Sequence, residues 1–135
     1  MAQHLLYNGY FVINSVNLSA WVKTIRVPQG VESLDDTAMG DTTRTHLGGL
    51  KTWSIEVDLE QDYASSAVDQ TLNALVGTTT AIEVRADAGT VSATNPKWTG
   101  TALVKDYQPI GGTVGELHMT RLMLESASAL TRATS

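Results

Sequence analysis

The sequence predicts a mainly β domain: two packed antiparallel sheets, sandwich- or barrel-like, with one flanking α-helix and a long loop. Three observations carry this. Residues 50–60, LKTWSIEVDLE, alternate strictly between apolar and polar. Only one segment, 65–77, has the apolar spacing of a helix. The remaining apolar runs are short and separated by turn residues, which suits several short strands.

In the 50–60 segment Trp53, Ile55, Val57 and Leu59 share one face; Glu56, Asp58 and Glu60 share the other. A period of two gives a strand with one buried face and one wet, acidic face. In SSAVDQTLNALVG, Val68, Leu72, Leu75 and Val76 fall on one helical face over 65–76. Ser65 or Ser66 is placed to cap it, and Gly77 to stop it. Further strands are expected at 10–14, 21–27, 79–85 and 97–107, where Gly100 marks a bulge or a close neighbour. Residues 115–126 form a strand apolar on both faces, with Leu117, Met119 and Met123 on one side and Leu122 and Leu124 on the other. Such a strand needs cover on both sides. A second subunit is one source of it, which makes Met119, Leu122, Met123 and Leu124 candidates for a subunit interface.

Residues 31–49 fit neither period. Leu34, Met39 and Leu47 are scattered among Asp35, Asp36, Asp41 and Arg44. A structureless loop in a compact domain rarely exceeds about 12–15 residues. Either an element is hidden here, or the segment orders against a partner. The second reading is adopted: the segment is expected to order against a partner.

The 135 residues suit a single domain over 1–135, and 42% hydrophobic content suits a folded one. With no cysteine, neither disulfides nor thiolate metal sites form. Fourteen acidic against nine basic side chains give −5, and the basic ones are spread thinly, without the clustered patch of a tight nucleic-acid binder. The N-terminal stretch MAQHLLYNGYFVINSV lacks a signal peptide's pattern. No apolar run approaches the ~18 residues of a membrane helix, so no membrane insertion is expected.

Candidate chemistry is sparse. His4, His46 and His118 are not at metal-ligand spacing. The acidic run DDTAMGDTTRTH lacks the alternating ligands and closing glutamate of a calcium loop. GGTVG, 111–115, lacks the lysine of a phosphate loop and reads as a hairpin turn. No nucleophile, base and oxyanion donors assemble into a triad. No catalytic, cofactor or metal site is expected.

The stretches VNLSAWVKTIRV, LDDTAMGDTTR, GGLKTWSIEVDLEQDY, ALVGTTTAIEVR, SATNPKWTGTALV, PIGGTVGEL and ALTRATS together resemble the tail tube (major tail) proteins of long-tailed bacteriophages, of the type found in actinobacterial phages. LDDTAMGD and SATNPK are the most distinctive. The resemblance implies a two-sheet fold with a flanking helix. It implies homohexameric rings that stack into a tube and pass double-stranded DNA through a lumen without specific binding. It implies tape-measure and tail-terminator partners, assembly in the host cytoplasm and residence in the virion. The family's long loop reaches onto neighbouring subunits, which corresponds here to 31–49. Glu56, Asp58 and Glu60 are then candidates to line the lumen. The competing readings are a capsid-decoration or other binding sandwich, with a groove built on Trp21, Trp53 or Trp98, and a small β-rich hydrolase.

Overall fold

The computed structural model describes residues 9–134. Nine strands run β1 (Tyr10–Ile13), β2 (Val16–Asn17), β3 (Val22–Arg26), β4 (Gln29–Asp35), β5 (His46–Glu60), β6 (Thr79–Arg85), β7 (Lys97–Gln108), β8 (Met119–Ser126) and β9 (Thr131–Ala133), with α1 (Val68–Asn73) between β5 and β6. All pairings are antiparallel, along the path β2-β1-β6-β7-β8-β5-β3, with β4 added to β5 and β9 to β7.

The two layers expected from the sequence belong to one hydrogen-bonded path. Phe11 and Ile13 near one end of that path share a core cluster with Ile55, Val57 and Leu59 near the other. The sheet therefore curls over and packs against itself. It stays open, since β2 and β3 do not pair. The alternation in 53–60 is borne out: Trp53, Ile55, Val57 and Leu59 are buried, and the residues between them half-buried.

The helix closes one side of this core through Val68 and Leu72. It is shorter than 65–76, and no serine caps it. Ala67 holds the N-cap position without a side-chain hydrogen bond, and Ser66 adopts φ 61°. Asp62 organises the entry instead. Its Oδ1 accepts the Ala64 N–H at 2.9 Å, its Oδ2 the Trp21 indole at 3.1 Å, and its carbonyl the Asp69 N–H at 3.1 Å. The helix ends at Asn73 with Ala74 as its C-cap, so Gly77 is not its stop; at φ 83° it closes the turn that follows, and its N–H reaches the Val104 carbonyl at 2.9 Å.

Gly100 answers to a close neighbour. A Cβ there would lie 3.1 Å from the Ala129 carbonyl oxygen and 3.2 Å from Trp53 Cζ2. This contact lets the chain after β8 cross close over the sheet, where Ser128 accepts the Trp53 indole N–H at 2.8 Å through its carbonyl.

Candidate assembly surfaces

The structure corrects the reading of 31–49 as one long loop. Residues 29–35 and 46–53 are the two sides of a β-hairpin, and only 36–45 remain outside strands. The pattern hid it for a physical reason. All seven residues of β4 are exposed, so no buried face imposes a period of two. A bulge between Val31 and Ser33 also shifts the register, breaking any alternation across it. The paired Leu34 and Leu47 are exposed, as are Val31 and Leu50.

The tip is a built polar turn. Asp35 Oδ1 accepts the Thr37 N–H at 2.9 Å, and Asp35 Oδ2 pairs with Arg44 at 2.9 Å. Asp41 Oδ2 accepts the Ala38 N–H at 2.8 Å. Thr45 donates its hydroxyl to Asp36 Oδ1 at 2.5 Å and its N–H to Thr37 Oγ1 at 2.8 Å. The hydrogen bonds from Thr37, side chain first and then backbone, hold the Asp35 carboxyl below the ordinary carboxylate range, with Arg44 adding to them. The aspartates of this run thus serve the turn. Met39, at its apex, is fully exposed.

Glu56, Asp58 and Glu60 share the face of β5 turned away from the core, as alternation requires. That face is not simply acidic. Glu60 pairs with Lys23 at 2.7 Å, Glu56 with Arg26 at 3.7 Å and Arg121 at 4.0 Å, and Asp58 stands in register with Arg121. The bases come from β3 and β8, the two strands flanking β5. Sequence reasoning missed them because cross-strand register, not spacing along the chain, brings them together.

For β8 the structure overturns two of the four interface candidates. Leu122 and Leu124 are 0% and 1% exposed within the chain's own core, with Thr120 beside them on the same face. Met119 and Met123 lie half-buried on the outer face, with Arg121 between them. Leu117 precedes the strand and is exposed. Burial of both faces by a neighbour is therefore not needed: one face is core, and the other is moderately apolar.

Further exposed apolar side chains lie outside the arm, and two of them, Ile110 and Val114, escaped the sequence reading. Ile110, Val114 and Leu117 are exposed in the β7–β8 connection, which GGTVG occupies. The connection is fastened at both ends. The Pro109 carbonyl accepts from Gln61 Nε2 at 2.6 Å and Tyr63 Oη at 2.8 Å, and His118 Nε2 accepts the Gly111 N–H at 3.2 Å. The other histidine of the described residues, His46, stands opposite Asp35 in the arm; His4 lies outside them. Trp21, Trp53 and Trp98 do not share a groove. The first two turn their indole N–H inward to Asp62 and Ser128, and Trp98 lines a small cleft between β3 and the β6–β7 pair.

No family model and no curated protein sequence matches the chain. Solved structures do. A chain from the tail of an empty gene transfer agent particle with C6 symmetry aligns with a TM-score of 0.69 at 20% identity, over 85% of this chain and 83% of that one. The SPP1 tail tube aligns at 0.72 and 12% identity, over 95% and 77%. Hcp1 from Flavobacterium johnsoniae aligns at 0.55 and 12%, over 96% and 97%. The chain has the fold found in phage tail tubes.

Proposed function

We propose that this chain is a structural subunit of a phage-type tail tube. Six copies close into a ring, rings stack, and the lumen passes double-stranded DNA without retaining it. The observation that carries this reading is the β4–β5 arm, an ordered hairpin whose apolar side chains have no cover in the isolated chain. Monomers rarely leave such surfaces contiguous and open. The fold shared with a six-fold tail supports the same reading.

The Glu56–Asp58–Glu60 face is the proposed lumen candidate, with its character revised. Three carboxylates set among Lys23, Arg26 and Arg121 make a balanced surface. Such a wall neither grips phosphate through uncompensated cations nor repels it strongly, which suits passage without specific binding. Met119 and Met123 remain interface candidates, since thioethers adapt to irregular neighbours. Tape-measure and terminator proteins are the further partners proposed, with assembly in the host cytoplasm and residence in the virion.

Electron microscopy of the purified protein at rising concentration tests this reading. Hollow tubes or stacked rings support it. Uniform small particles at every concentration refute it.

A further inference from the structure

The cleft between β3 and the β6–β7 pair is small and apolar. Ile25, Val27, Val84 and Trp98 form its walls, with Gln29 and Arg85 at its margin, around a volume of about 200 Å³. That is below the roughly 300–1,000 Å³ of small-molecule sites. It suits a single side chain.

We infer that its occupant is Met39 from the arm tip of a second copy of this chain. The inference rests on the tube reading and adds to it which surface the arm meets. Three observations support the pairing. The first is reach. Gln29 belongs to both the cleft margin and the root of the arm. At about 3.3 Å per residue, β4 carries the tip roughly 20 Å from that root. A chain's own Met39 therefore cannot fill its own cleft, whereas a copy displaced by one arm length presents its cleft at the tip.

The second is chemistry. Met39 is fully exposed at the apex of a turn held by six side-chain hydrogen bonds, in which Asp35, Asp36 and Asp41 accept and Thr37 and Thr45 both donate and accept. A thioether fills irregular apolar space and packs well at an indole edge, which Trp98 supplies. The third is charge. With Asp35 paired to Arg44, the tip offers Asp36 and Asp41, each with one carboxylate oxygen free of a partner. At the cleft, Arg85 is paired with Glu83 at 2.9 Å, and the cation left without a carboxylate partner among the described residues is the exposed Arg132, 5.9 Å from the Trp98 ring. That single free cation beside Trp98 suits an anionic tip. The contact joins two different surfaces, so it propagates from copy to copy, as a ring or a filament requires.

The absence of cysteine makes the contact addressable. Met39→Cys and an affinity-tagged Val27→Cys would each be mixed with parent chain, co-assembled and treated with a short bis-maleimide. The expected result is a tagged–untagged cross-linked pair, absent when Gln70→Cys, exposed on α1, replaces Met39→Cys. In parallel, Met39→Leu should assemble as the parent does, and Met39→Asp should raise the critical concentration about tenfold or more. Mixed tubes that give no specific pair, or Met39→Asp assembling at the parent concentration, overturn this docking and leave the tube reading intact. A parent chain that never assembles overturns both.

Discussion

Leu34 and Leu47 face each other across the arm as a cross-strand pair, and both are exposed in the single chain. Such a pair adds little to a hairpin that stands in water, but forms a ready apolar patch for a neighbour. Leu47→Asp should therefore leave the fold within about 0.5 kcal/mol of the parent, the usual range for surface substitutions. It should nonetheless abolish polymerisation. Urea unfolding and sedimentation velocity measure the two effects separately. Loss of fold would show that the arm contributes to the core; normal polymerisation would remove Leu47 from the contact.

The two faces of β8 should part company. Leu122→Ala empties part of the core and should cost about 2–5 kcal/mol. Met123→Ala, on the outer face, should cost less than about 1 kcal/mol in the monomer. Chemical denaturation of both variants checks the difference. Equal costs would contradict the face assignment.

Gly100→Ala tests the crossing of the chain over the sheet. The added methyl would meet backbone at Ala129 and the indole of Trp53, where neither has much room to retreat. Overpacking of this kind costs about 1–3 kcal/mol. The urea midpoint should fall without a change in slope, and an unchanged midpoint would contradict the packing.

Alkaline pH should expose Tyr107. Burial, above all, pushes its hydroxyl up to about 12; the hydrogen bond to Gln61 opposes this, and that to Asp69 adds to it. The folded state then keeps a proton that the unfolded chain loses near 10. The stabilisation is present below that pH and is lost as pH rises from about 10 to about 12. Thermal melts should show this alkaline decline, and Tyr107→Phe should remove it. Phenolate absorbance at pH 11 from all the tyrosines in the folded protein would contradict it.

Converting Glu56, Asp58 and Glu60 together to lysine turns a balanced face strongly cationic. If that face lines the lumen, assembled tubes should retain double-stranded DNA at low salt and release it as salt rises, because each phosphate contact carries salt-dependent affinity. DNA retention by isolated tubes, followed against salt, is the measurement. Retention equal to that of the parent would move the lumen to another face.

The sequence was most legible where one side of a strand is buried and the other is wet. Trp53 to Glu60 alternates because burial forces it to, so both the strand and the shared acidic face could be read. The arm failed this reading for the complementary reason: with both faces in solvent, β4 carries no period. Leu122 and Leu124 read as interface residues because apolar residues on both faces look alike in one dimension. Only the curl of the sheet distinguishes core from outside. Arg121 beside Glu56 and Asp58, and Lys23 beside Glu60, depend on strand register, which spacing along the chain does not encode. Ile110 and Val114 sit in what reads as a plain glycine-rich turn, and nothing in that pattern announces an exposed apolar surface.

A cryo-electron microscopy reconstruction of the assembled protein tests the central claim most directly. The account predicts six-fold rings stacked into a tube, with the 29–53 arm of each subunit buried against a neighbour and Leu34, Met39 and Leu47 out of solvent. An assembly in which those three side chains remain exposed, or a chain that stays monomeric at every concentration imaged, would contradict it.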